Sequence, residues 1–210
     1  MYWLSSVAIH KGDKNMISGV KKIITDKMYL IFDLDGTLIN TNKANFLSYQ
    51  EAIKNVKNID LNLIYDNKER FTRDKLKSFI PHLTVQEFEK IIKMKTNLFQ
   101  KYLKYTILNT SILEIINKFS ETNKIILATN SHKIKADLLL KHYDLYNLFH
   151  KKYYKKNYLN KDNKYKYIIN NLKINSNNII IFEDNYTERN KAIDLGVSSK
   201  NIINPNIRGA

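Results

Sequence analysis

Tyr29-Leu30-Ile31-Phe32-Asp33-Leu34-Asp35-Gly36-Thr37-Leu38 is the stretch from which the rest of the chain can be read. Four residues of strand character run into two acids spaced i, i+2, followed by Gly and Thr. Both carboxylates therefore stand where a buried strand opens into a loop. In open α/β sheets, sites form outside that carboxyl edge. An ordinary turn would account for Asp and Gly, but it needs neither a second acid nor a Thr at these offsets.

Two more strands of the same kind follow. Lys124 to Thr129 is a short apolar strand, and Ile179-Ile180-Ile181-Phe182 is a fully apolar one. Helical patterns alternate with them: Ser111 and Glu114 at capping-box spacing ahead of Ile115, Ile116 and Phe119; Ile134 to Tyr143; Tyr165 to Leu172; and Glu188 to Leu195, stopped by Gly196. This succession implies βαβ crossovers, hence an α/β fold: a Rossmann-like parallel sheet with helices on both faces. Between the first and second strands, Asn40 to Asn109 carries only helical stripes. The clearest begins at Thr84, where Thr84 and Glu87 have capping-box spacing and Phe88, Ile91, Ile92, Phe99, Tyr102 and Leu103 recur at helical intervals. The expected organisation is an α/β core of residues 28–40 and 110–210, a small all-helical cap of residues 41–109, and an extension of residues 1–27 with no assigned role.

Composition narrows the function classes. The chain has 210 residues, 43% of them hydrophobic, enough for a real core, and no cysteine, so disulfide frameworks and thiolate metal sites are excluded. No run of about 18 apolar residues occurs, so no membrane span is expected. The start, Met1-Tyr2-Trp3-Leu4, lacks the basic region of a signal peptide, which points to the cytoplasm. A net charge of +15 raises the question of nucleic acid, and Lys151-Lys152-Tyr153-Tyr154-Lys155-Lys156-Asn157-Tyr158 interleaves cations with aromatics. Since Lys, Asn and Ile are enriched throughout, a solvated face that draws in anionic substrates explains the cluster better than a nucleic-acid partner.

The polar ends of the three strands carry the chemistry. The first ends in Asp33 and Asp35, the second in Thr129-Asn130-Ser131, and the third in Glu183-Asp184-Asn185 with Glu188 one turn on. Side by side and parallel, they converge on one edge, where several carboxylates with few counter-charges call for an oxygen-binding cation. Without Cys, and with no His at these strand ends, Mg²⁺ is the expected ion. A carboxylate beside Mg²⁺ can attack phosphorus, a second acid two residues on can move the proton, and a hydroxyl with a Lys can bind phosphate oxygens.

Asp33-Leu34-Asp35-Gly36-Thr37-Leu38 with Ala128-Thr129-Asn130 and Glu183-Asp184 resembles the haloacid-dehalogenase-like hydrolase superfamily, over about residues 28–204. The resemblance implies that Asp33 is the nucleophile and Asp35 the general acid/base, with Asp35 also lending its backbone carbonyl to Mg²⁺. It implies phosphate binding by Gly36, Thr37, Thr129, Asn130 and a third-motif lysine, and metal ligation by Asp33, Asp35 and Asp184, with Glu183 or Glu188 as acidic companion. Where many relatives have Gly-Lys-Pro, this chain has Asn160-Lys161-Asp162-Asn163-Lys164; Lys161 is closest to the expected spacing and Lys164 is next. An acid at position 35 points to the phosphatase and phosphotransferase branches. The helical insertion resembles the caps that close over small substrates and read the leaving group. Arg70, Arg73, Asn42, Lys95 and His132 are possible cap or rim contacts, outside the catalytic set.

The expectation is thus a Mg²⁺-dependent phosphatase acting on a small phosphorylated metabolite through an aspartyl phosphate. The sugar, polyol, amino-alcohol or nucleoside identity of that metabolite stays open, as does the oligomeric state. A phosphomutase of the beta-phosphoglucomutase type, a nucleic-acid end-processing phosphatase and a silent binding domain are the alternatives.

Overall fold

The computed structural model describes residues 18–67, 69–158 and 163–205. In chain order the strands are β1 Tyr29–Phe32, β2 Ile39–Asn40, β3 Ile107–Leu108, β4 Lys124–Ala128, β5 Lys151–Tyr153, β6 Ile179–Phe182 and β7 Ile202–Ile203. The helices are α1 Asn42–Lys57, α2 Arg73–Phe79, α3 Val85–Leu98, α4 Thr110–Phe119, α5 Lys133–His142, α6 Lys164–Leu172 and α7 Tyr186–Ile193. The main sheet is parallel throughout, in the order β5-β4-β1-β6-β7.

Alternation along the strands explains why both faces are covered. Leu30, Phe32, Ile125, Leu127, Ile180 and Phe182 point to one side, where they pack with Ile112 and Ile116 of α4 and Leu139 of α5. Ile31, Ile126, Ile179 and Ile181 point to the other, against Tyr165 and Ile168 of α6 and Ala192 of α7. Phe32 and Phe182 stack across β1 and β6 with centroids 4.4 Å apart. Residues 18–23 are helical, and Val20 and Ile24 join the first of these cores. Asn123 Nδ2 ties the following turn down by donating to the carbonyls of Thr25, at 2.8 Å, and Met28, at 3.1 Å.

The chain leaves and re-enters this core through a two-residue antiparallel ladder, Ile39–Asn40 with Ile107–Leu108, which the sequence pattern did not reveal. Beyond it α1, α2 and α3 bury their own apolar set, including Phe46, Tyr49, Ile53, Phe71, Leu76 and Ile91. A 3₁₀ helix over Phe99–Tyr105 brings the chain back.

The basic stretch from Lys151 is also resolved into structure. It forms edge strand β5, and Tyr153 and Tyr154 turn into the protein, 6% and 8% exposed. Tyr154 donates to Asp137 at 2.7 Å, and the Tyr153 hydroxyl accepts from Asn171 at 2.8 Å. These two rings offer no free face for base stacking. Among the described residues no helix is long and apolar enough to cross a membrane.

Helix α3 opens with a complete capping box: the Thr84 hydroxyl accepts from Glu87 N at 3.2 Å and Glu87 Oε2 accepts from Thr84 N at 3.0 Å. Thr84 is exposed, so removing its hydroxyl opens no cavity. Thr84→Ala is expected to lower stability by about 1 kcal/mol, read as a shift of the urea midpoint at constant slope.

Candidate active site

The parallel register sets the site. Because β1 lies between β4 and β6, the residues just past their ends gather at one edge: Asp33 falls level with Glu183, and Thr129 stands one residue beyond that level. Backbone bonds continue the ladder to this edge: Asp33 N donates to Phe182 O at 3.0 Å, Thr129 N to Tyr153 O at 3.0 Å and Glu183 N to Ile203 O at 2.9 Å. The 33–39 loop then folds back on itself, with Gly36 N donating to Ile39 O at 2.8 Å. Gly36 has φ +98°, and a Cβ there would meet Arg70 and lie 2.6 Å from Asp184 Oδ2. Glycine is thus needed both for the turn and for the approach of Asp184.

Asp33 is almost completely buried, and its Oδ1 accepts from Lys164 Nζ at 2.6 Å. Lys164 is itself 1% exposed and makes a second ion pair, also 2.6 Å, with Glu183. Tyr165, the next residue on α6, donates to the same Glu183 oxygen at 2.6 Å, and Asn185 N donates to the other carboxylate oxygen at 2.9 Å. Burial raises the Asp33 carboxyl well above the usual range; Lys164 opposes the rise, and the Glu183 and Asp184 charges add to it. For Lys164, burial favours loss of the proton, but Asp33 and Glu183 more than offset it and hold the ammonium.

Asp35 has different surroundings. Its Oδ1 accepts from Thr41 Oγ1 at 2.6 Å and from Lys135 Nζ at 2.5 Å, and its Oδ2 from Ser131 Oγ at 2.6 Å. Burial alone would raise its pKa, yet Lys135, Ser131 and Thr41 together hold the carboxyl well below the ordinary range. A hydrogen-bonded chain runs outward from it: Asn45 Nδ2 donates to Thr41 Oγ1 at 2.9 Å, and Lys95 Nζ donates to Asn45 Oδ1 at 2.7 Å.

Thr129 is buried, and its hydroxyl accepts from Ser131 N at 3.0 Å. Asn130 is exposed at the rim of a cavity of about 230 Å³ bordered by Asp33, Asp35, Thr129, Lys164 and Glu188. Thr37 stands behind this cavity: its hydroxyl contacts Asp184 Oδ1 at 3.2 Å and accepts from Asp184 N at 3.1 Å. That hydroxyl is engaged in placing Asp184. Glu188 pairs with Lys191 at 2.6 Å. Lys161, the expected third-motif lysine, lies outside the described residues; Lys164 is the lysine seen on Asp33.

Two contributors escaped the sequence reading or were set aside by it, and a third, Ser131, was named at its strand end without a role. Lys135 follows Thr129 by six residues, and only the direction of α5 reveals that it faces Asp35. Arg70, in the loop between α1 and α2, donates through one nitrogen to the Asp35 carbonyl and to Asp184 Oδ2, the latter at 2.8 Å. No local pattern distinguishes it from other surface arginines.

The donor set fits an oxygen-binding divalent ion. Asp33, Glu183 and Asp184 offer carboxylate oxygens within 4.8 Å of one another, and a guanidinium nitrogen already draws on the Asp35 carbonyl and Asp184 together. Hard, all-oxygen donors of this kind suit Mg²⁺.

With the geometry in place, comparison with known proteins assigns the class. A family model described as haloacid dehalogenase-like hydrolase matches residues 30–202, and the chain belongs to that family. Solved structures share the fold at low identity. A predicted phosphoglycolate phosphatase from Haemophilus somnus superposes with TM-score 0.68 at 18% identity, over 82% of this chain and 84% of that one. CbbY from Rhodobacter sphaeroides, solved with phosphate, gives 0.66 at 14% identity over 81% and 84%. A candidate beta-phosphoglucomutase from Thermotoga maritima gives 0.61 at 18% identity over 83% of each chain. No curated protein matches in sequence at a significant level.

Two outcomes test this arrangement. Lys164→Met keeps volume but strands two buried carboxylates, so a loss of about 3 kcal/mol is expected in denaturant unfolding, partly recovered by adding Glu183→Gln. Arg70→Gln removes a positive charge from Asp184, so Mg²⁺ titrated calorimetrically into that variant should bind on the order of tenfold more tightly, equivalent to about 1.4 kcal/mol.

Proposed function

We propose that the protein is a Mg²⁺-dependent phosphatase of small phosphomonoesters that works through an aspartyl phosphate on Asp33. The observation that carries this reading is the pairing of two acids, two residues apart, on one cavity but with different partners: Asp33 against the buried Lys164, and Asp35 bonded to Lys135, Ser131 and Thr41.

Asp33 Oδ attacks phosphorus and the bond to the ester oxygen breaks, leaving the phosphoryl group on Asp33. Lys164 supplies a fixed positive charge beside the attacking carboxylate and the transferring oxygens, while Thr129 and the backbone around Asn130 line the opposite wall. Asp35 gives a proton to the departing alkoxide. It then takes one from the water whose oxygen attacks the phosphoryl group, and the Asp33 carboxylate leaves. As it stands Asp35 is an anion, fit for the second half. Acid duty in the first half requires the anionic substrate to draw Lys135 away so that Asp35 takes up a proton. Asp33, Asp184 and the Asp35 carbonyl would hold Mg²⁺, which supplies charge neutralisation between the phosphate and the attacking carboxylate. Residues 41–109 serve as the cap, tied to the core through Arg70 and through the Asn45–Thr41–Asp35 contacts.

Mutase chemistry would return the phosphoryl group to the organic part instead of to water. Supplying hexose phosphates with Mg²⁺ and finding isomer without inorganic phosphate would overturn the hydrolase reading. Asp33→Asn should lose phosphate release by at least a thousandfold, on the order of 4 kcal/mol in transition-state terms, while keeping the native circular-dichroism spectrum and melting temperature within a few degrees. Turnover retained in that folded variant would remove Asp33 from the role of nucleophile.

A further inference from the structure

The catalytic cavity, at about 230 Å³, has room for a phosphoryl group and the first atoms attached to it, less than a whole metabolite needs. A second cavity of about 880 Å³ lies between α2 and α3 of the cap and the start of α5 of the core. Lys135 borders both. The larger cleft has two zones. Its walls are apolar, built from Ile80, Leu83, Val85, Phe88, Ile92 and Ile134. Near Lys135 it carries Arg73 and His132.

Positive groups crowd this junction, with Asp35 as the acid on Lys135. Lys95 lies just behind it, over the same Phe99 ring as Lys135, at 5.3 and 4.8 Å. Burial lowers the Lys95 ammonium to a pKa of about 7; the Lys135 and Arg73 charges push the same way, and the Asp35 charge opposes them. Lys135 is paired with Asp35, but among the described residues neither Lys95 nor Arg73 forms an ion pair with a carboxylate. Glu89 is the one acid in the cleft lining, against Arg73, Lys77, Lys93 and Lys135. An apolar cleft that sets Arg73, which forms no ion pair with a carboxylate among the described residues, beside His132 and Lys135 is suited to an anion attached to an apolar body.

We propose that this cleft receives the organic part of the substrate, and that Arg73, His132 and Lys135 recognise a second anionic group on it. The substrate class is then a phosphomonoester of an alcohol bearing an apolar body and either a carboxylate or a second phosphate. This deepens the phosphatase reading and rests on it for turnover, though not for binding. Uncharged sugars and amino-alcohols are disfavoured, the first by the apolar walls and the second by the cations.

The test compares ethyl phosphate, benzyl phosphate, meta-carboxybenzyl phosphate and meta-xylylene bisphosphate, whose leaving groups are all primary alcohols. Affinities are measured by calorimetry with Mg²⁺ on the Asp33→Asn protein, and kcat/KM on the unmodified enzyme. Benzyl phosphate should bind more tightly than ethyl phosphate, and one of the two compounds with a second anionic group should bind about tenfold more tightly than benzyl phosphate, which also tells carboxylate from phosphate. Adding Arg73→Gln, an exposed position, should erase most of the preference for the second anionic group, and Leu83→Trp should erase the benzyl preference. Equal binding of benzyl phosphate and both compounds with a second anionic group overturns the proposal, as does a preference that survives Arg73→Gln. If these preferences hold on Asp33→Asn while the unmodified enzyme releases phosphate from none of the four, the cleft assignment stands and the phosphatase reading falls.

Discussion

A lysine buried between two carboxylates holds the catalytic edge together. The parallel neighbours β1 and β6 deliver Asp33 and Glu183 side by side, where burial and mutual repulsion would otherwise oppose both charges. Lys164 resolves the conflict at 2.6 Å from each. It does so from the first turn of α6, behind an Asn163 cap, where the helix dipole disfavours a cation. The two carboxylates outweigh that penalty. Tyr165, the next residue, donates to Glu183 from the same turn, so the start of α6 is locked to the end of β6 by a double contact.

The remaining acids follow the same rule with different partners. Asp35 takes Lys135 from α5 and Asp184 takes Arg70 from the loop between α1 and α2. Four acids gathered at this edge, Asp33, Glu183, Asp35 and Asp184, are therefore matched by three cations from three separate segments. One of those segments belongs to the helical insertion, so the site is complete only when the insertion is seated on the core. Gly36 permits this crowding, since any side chain at that position would strike both Arg70 and Asp184.

Much of this was legible in the chain because a short apolar run that ends in acids fits a buried strand opening into a polar loop and little else. Tyr29–Phe32 and Ile179–Phe182 stand as expected, and Thr84 caps its helix as its spacing with Glu87 indicates. What stayed hidden depends on tertiary placement. Lys151–Tyr153 reads as a basic surface, and only pairing with β4 makes it an edge strand. In a chain with 35 Lys and Arg, spacing ranked Lys161 ahead of Lys164, the lysine seen on Asp33, and did not mark Lys135 and Arg70, because a useful cation and a solvated one look alike until the fold brings an acid to it. The absence of fixed spacing between Arg70 and Asp184, 114 residues apart, is the physical reason that no motif could announce their contact.

The strand-end pocket and the larger cleft beside it are built from different parts of this molecule. The strand-end pocket is small and charged, and the backbone ladder fixes Asp33, Thr129 and Glu183 in it. The adjoining cleft is larger, mostly apolar and formed from cap helices against α5, where side chains can change without disturbing a strand or a buried ion pair. Lys135 joins the two, since it pairs with Asp35 and also borders the larger cleft. Substitution of the cleft walls leaves the buried ion pairs alone, whereas substitution at the strand ends removes a charge that another buried charge depends on. A strand-end motif can therefore mark the family while remaining silent about the organic part of a substrate, because the cleft walls lie on surfaces the motif does not include.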